Sequence, residues 1–227
     1  ILIAFFQRAG AIQNFTAFIE QRAMSRVRVQ LTAWLMGMFV YFSDYFSPLF
    51  VGSTMRSPSD RYQISREKLA YICDSTSAPV SILVPITGWA VFVAGLIIGM
   101  GPIENAVDAM AAFIAAIPYN VYPLLSVAMV GLIASAWIPD FGPMRAAEAR
   151  AQSEGKLMAD GAEPLMAVEL TEIQPASTIK TSLFWNFFLP VCAVVGFVIG
   201  AVVMLGSAKP LEAFMLAVFV LGIIMRI

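Results

Sequence analysis

Histidine is absent from the 227 residues, cysteine occurs twice, and charged side chains make up only 13% of the chain. The first absence removes the side chain that titrates unperturbed near neutral pH, so a proton carried there must sit on a carboxylate whose pKa its surroundings have raised. With only Cys73 and Cys192, both in or beside apolar segments, neither a metal site nor a structural disulfide is expected, and both thiols read as packing. The scarcity of charge excludes an ordinary soluble domain. A net charge of −1 offers no basic footprint for nucleic acid. No zinc-binding motif, Ser-His pair or facing Asp-Asp pair is found, so an enzyme is not expected. What remains is 59% hydrophobic, with mean hydropathy +0.80, and belongs in a lipid bilayer.

A spanning helix needs about 20 predominantly apolar residues. Segments 79–99, 121–139, 183–206 and 210–226 meet that length with few or no charges. Residues 106–118, Ala-rich and bounded by Pro118, read as an interfacial or half-crossing helix. The stretch 29–55 is interrupted by Gly37, Ser43, Asp44, Ser47, Pro48 and Gly52. Arg22, Arg26 and Arg28 precede it, and Arg56, Arg61, Arg66 and Lys68 follow it. Positive charge on both sides predicts that it enters and returns from the cytoplasm; a single span with one basic cluster outside is the alternative. Residues 100–109 carry acids and no Lys or Arg, which places them outside, and Arg145, Arg150 and Lys156 then fall inside. The expected layout is a transmembrane region at 1–140, a cytoplasmic linker at 141–181, and transmembrane helices at 182–227. The chain opens in ILIAFF and ends in an apolar run, and reads as a piece of a longer protein. The fold class predicted is all-α, a polytopic membrane protein with broken or re-entrant helices.

Two stretches place carboxylates against helix breakers. In ISREKLAYICDSTSAPVSILVP, Ser65 is an N-cap with Glu67 in the first turn, so a helix begins there and runs toward Asp74. If it stays helical, Asp74, Ser77 and Ser81 share a face, Pro79 leaves the Ser75 carbonyl without its donor, and Pro85 does the same to Ser81. In YFSDYFSPLFVG, Asp44 lies among aromatics, Ser43 and Ser47 share a helical face, and Pro48 releases the Asp44 carbonyl. Carboxylate, hydroxyls and freed carbonyls form the oxygen-rich set that binds a hard monovalent cation, and irregular backbone at membrane depth is tolerated only where it lines a cavity. Plainer readings stay open: Asp74 paired with Lys68 or Arg66, Asp44 paired with Arg56, Asp60 an exposed loop residue near Arg61, and Trp34, Trp89, Trp137 and Trp185 serving as packing or interfacial anchors.

Residues 42–89, FSDYFSPLFVGSTMRSPSDRYQISREKLAYICDSTSAPVSILVPITGW, resemble the NhaC-type sodium/proton antiporter family, which includes sodium-coupled lactate/malate exchangers. Asp44 matches the second of its paired aspartates, Gly52 the V-G glycine, and Met55 and Arg56 the M-R. Ser65, Arg66, Glu67 and Lys68 match S-R-E-K, and Asp74, Ser75, Thr76, Ala78 and Pro79 match D-S-T-x-A-P. Ser43 and Ser47 depart from the pattern, standing where an aspartate and an asparagine are usual. The resemblance implies a secondary carrier of the bacterial cytoplasmic membrane that exchanges cytoplasmic Na+ for external H+. It implies a cation and proton site built from Asp44, Asp74, Ser75, Thr76, Ser47 and Ser77, with Arg56, Ser43 and Pro79 as candidates for substrate binding or gating. No cofactor is expected beyond the transported Na+ and H+. The expected partners are lipid, small ions, the remainder of the same chain and, in an organic-anion exchanger, lactate- or malate-like acids. A degenerate carrier that serves only as a membrane scaffold is the reading from a different class.

Overall fold

The computed structural model describes residues 25–41 and 44–162 continuously, with short pieces between 10 and 18 and between 182 and 222. In chain order these residues form α1 (Arg26–Phe39), α2 (Phe46–Arg61), α3 (Arg66–Ser75), α4 (Ala78–Leu83), α5 (Gly88–Ile97), α6 (Ala106–Ala116), α7 (Val121–Ala134) and α8 (Gly142–Glu154), with no strand among them. A 3-10 turn at Ile117–Tyr119 joins α6 to α7, and Phe184–Phe188 form a π-helical turn.

Local chemistry explains most of the boundaries. Ser25 caps α1, Thr87 caps α5 and Asn105 caps α6, each with a side-chain oxygen accepting backbone N–H groups of the first turn. Pro118 ends the α6 segment, as its spacing predicts. The stretch 29–55 is broken between α1 and α2, in agreement with its interrupting residues.

The short helix α3 is central: α1, α2, α7 and α8 all pack around it. Val29, Ala33 and Met36 of α1, Phe50, Val51 and Met55 of α2, and Leu69, Ile72 and Cys73 of α3 form one buried cluster with Val130 of α7. Two close approaches fix α1 in this cluster. Gly37 faces Thr76, and a Cβ at Gly131 of α7 would stand 3.0 Å from the Trp34 ring. Trp34 also donates its indole N–H to the Val127 carbonyl at 3.0 Å, so Trp34 is a packing residue, as the sequence suggests.

Among the described residues no single helix is long and apolar enough to cross a membrane. Two bent pairs satisfy length and composition together, Arg66–Leu83 with Gly88–Ile97 at 46° and Ala106–Tyr119 with Val121–Ala134 at 50°. The run at 79–99 is thus divided between α4 and α5, and that at 121–139 ends as helix at Ala134. Most of 183–206 and 210–226, and Ser43 itself, lie outside the described residues. Residues 142–154, expected to be linker, form α8, with Ala147, Glu148 and Ala151 buried and Gly155 closing it at φ 70°. The sequence shows no long apolar face there because α8 docks mainly through charge.

Candidate functional site

The end of α3 is built as its sequence suggests at one end and differently at the other. Ser65 accepts the Lys68 N–H at 3.2 Å, which starts the helix. The helix stops at Ser75, and Thr76 and Ser77 separate it from α4. Thr76 donates its hydroxyl to the Ile72 carbonyl at 2.7 Å, and Ser77 donates its hydroxyl to the Asp74 carbonyl at 2.8 Å. Hydroxyl back-bonding of this kind competes with helix propagation, and Pro79 in the first turn of α4 supplies no N–H for the Ser75 carbonyl.

Asp74, Ser77 and Ser81 therefore do not share one continuous helical face. Asp74 is exposed, whereas Ser75, Thr76, Ser77, Pro79 and Ser81 are buried. The Ser81 carbonyl is not left open either: the Thr87 hydroxyl donates to it at 2.7 Å across the break made by Pro85, while Thr87 also caps α5. Sequence reading missed Thr87, although a threonine two residues past a proline and just before an apolar run is a recognisable cap.

Asp44 stands in the break between α1 and α2, half-buried, and accepts the indole N–H of Trp89 at 3.1 Å. Trp89, expected only as a packing or interfacial residue, is thus a donor to a candidate carboxylate 45 residues away. Ser47 is fully buried in the first turn of α2, and its hydroxyl has no hydrogen-bond partner. An orphaned buried hydroxyl is costly, and a bound cation would engage its oxygen lone pairs. Pro48 lies in the same turn, where a missing N–H costs little. No hydrogen bond or ion pair joins Asp44 to Asp74.

Neither carboxylate takes the basic partner open to it in sequence. Lys68 pairs with Asp140 at 2.7 Å, and Arg66 pairs with Asp60 at 2.7 Å. Arg56, half-buried, makes no hydrogen bond or ion pair with Asp44. Asp60 is not a loop residue: it lies in the last turn of α2. Burial raises its carboxyl above the ordinary range, and the nearby Arg66 and Arg56 guanidinium groups only partly offset that.

The described residues are thus helical, with helix breaks beside Asp44 and Asp74 and with apolar segments that are bent rather than continuous. The Na+/H+ antiporter family matches residues 89–226, and the chain belongs to that family. Membership points to a transporter rather than an enzyme, and to a membrane. The match begins where the sequence signature at 42–89 ends. An "Uncharacterized protein" of Haemophilus influenzae is 32% identical over 136 residues, which are 59% of this chain; the chain spans 26% of that relative's length. No solved structure matches the chain.

Proposed function

We propose that this chain contributes the ion-binding part of an NhaC-type antiporter that exchanges cytoplasmic Na+ for external H+, with Asp74 and Asp44 alternating between protonated and cation-bound forms. The observation that carries the reading is the break after Ser75, one residue past Asp74, where Thr76 and Ser77 spend their hydroxyl protons on backbone carbonyls. A cation near the break then meets oxygen lone pairs and a carboxylate without a basic side chain to compete. Three residues from Asp44, Ser47 offers a second buried oxygen that has no hydrogen-bond partner. Exchange becomes obligatory when Na+ and H+ compete for the same carboxylate.

The test is the full-length carrier in everted vesicles, loaded with a pH gradient and challenged with Na+, Li+ or K+, then with lactate or malate. Dissipation by Na+ or Li+ alone is the expected result. A response to the organic acids only would replace the cation antiporter by the anion exchanger, with Arg56 as its carboxylate anchor. No response to any of these would leave the scaffold reading.

The proposed orientation puts 100–109 outside and α8 inside. Glu104 is exposed in that loop, so a cysteine there, with Cys192 and Cys73 replaced, should react with an impermeant maleimide from outside only. Labelling solely from the cytoplasmic side would reverse the topology.

A further inference from the structure

The first turn of α3 is engaged residue by residue from the segment 140–157. Ser65 donates its backbone N–H to Glu148 Oε1 at 2.7 Å, and Arg66 donates its own to the Leu157 carbonyl at 2.9 Å. Glu67 accepts from the Arg150 guanidinium at 2.6 Å. Lys68 pairs with Asp140 at 2.7 Å and with Glu148 at 3.5 Å. Glu148 also accepts from Arg26 at the start of α1. The side chains of Lys68 and Glu148 are each only 4% exposed. Each of the four consecutive residues Ser65 to Lys68 thus directs one polar group, backbone or side chain, to one distant segment.

A helix start can be satisfied by water and by its own cap, and the Ser65 hydroxyl already serves as that cap. A buried ionic cluster is weak evidence for stability, because desolvation consumes most of the attraction; what it supplies is a single geometry. Gly37 of α1 seats the far end of α3 at Thr76, and the directional ion pairs of the first turn fix its near end.

We propose that residues 140–157 form a positioning clasp, in which Glu148 and Lys68, with Arg150 and Glu67 beside them, hold the start of α3 and so set where Asp74 stands at its far end. Asp74 lies about 13 Å along the helix from Ser65, and a helix of this length transmits a shift of its first turn with little loss. The clasp acts on affinity for the ion, not on the chemistry of the carboxylate. It rests on the reading of Asp74 as the ion-binding carboxylate.

The test uses full-length Glu148→Gln, Arg150→Glu and the exchanged pair Glu67→Arg/Arg150→Glu in everted vesicles, with Na+ KM and Vmax read separately. Each single variant should raise the Na+ KM by about tenfold or more, because small misplacements of reacting groups have large effects. Vmax and membrane level should stay near wild type, and the exchanged pair should restore the KM. A structural role alone would lower the membrane level and leave KM unchanged in whatever protein inserts. Wild-type KM in both single variants, or no recovery in a well-inserted exchanged pair, would overturn the clasp. Should Glu148→Gln fail to insert, the Glu67–Arg150 pair, with side chains 37% and 21% exposed, carries the test. Amide exchange over 66–75 separates the two readings: protection should fall in Glu148→Gln, and unchanged protection overturns the clasp whatever Asp74 does. Reduced protection in a carrier whose Asp74→Asn variant still exchanges would reject the role of Asp74 and, with it, positioning as the clasp's purpose.

Discussion

Asp74→Asn should insert in the membrane at wild-type level and reduce Na+-driven proton movement to that of vesicles without the carrier. The separation of the two effects follows from where Asp74 stands. Its side chain is exposed and makes no ion pair among the described residues, so neutralising it strands no buried cation there. Its contribution to the helix end is through its backbone carbonyl, which accepts from the Ser77 hydroxyl and backbone N–H, and asparagine keeps that carbonyl. What asparagine cannot do is release a proton or neutralise a cation; a carboxylate at the centre of a membrane helix costs about 2.5–3.5 kcal/mol on insertion scales, so one that is kept there points to function. Asp74→Glu should retain part of the exchange with altered ion preference. Wild-type exchange by Asp74→Asn, measured by gradient dissipation with Na+ and Li+, would reduce Asp74 to a surface residue and withdraw the proposed site. Asp44→Asn gives the second arm: equal loss would place both carboxylates in one site, and a mild effect would leave Asp44 as the acceptor that holds Trp89 and α5 in place.

The features legible in the sequence are those that local chemistry decides. Ser65 as a cap, Pro118 as a stop and the interruption near Asp44 all depend on neighbours within a turn, and the structure has each of them. The end of α3 was half legible: the prolines and hydroxyls announce a break, but only the fold shows that Thr87 reaches the Ser81 carbonyl. Docking of α8 was not legible. Its decisive contact joins Ser65 to Glu148, 83 residues apart, and periodicity does not register a helix held by ion pairs on a narrow apolar face. The Asp44–Trp89 bond belongs with it, since nothing near Asp44 specifies an indole. Among the candidate site residues, sequence identified the residue types and the breaks, while exposure of Asp74 against burial of Thr76 and Ser77 depends on what packs around α3.

Gly37→Ala should destabilise the protein although alanine is the better helix former. A Cβ at Gly37 would stand 2.0 Å from Thr76 Oγ1 and 2.6 Å from Thr76 Cβ, far inside any real contact. Rotating Thr76 does not relieve it, because the Cβ stays where it is and the hydroxyl would abandon the Ile72 carbonyl, leaving a buried acceptor without its partner. Thr76 is fully buried, so α1 must withdraw from the end of α3 and open the cluster around Met36, Val29 and Ile72. Helix propensity returns about 1 kcal/mol, whereas overpacking a tight core costs about 1–3 kcal/mol and more where backbone must move, so the balance is unfavourable. Small residues let membrane helices approach in this way, and the apolar medium supplies little force to close the gap again. The expected result is a lower melting temperature in detergent, together with impaired exchange, since the displaced residue adjoins the break beside Asp74. Thr76→Ala in the Gly37→Ala background should not recover stability, because its Cβ remains, while Thr76→Gly should recover part of it. A Gly37→Ala carrier that melts with wild type would show that α1 does not approach Thr76 this closely, and the helix packing around α3 would have to be redrawn.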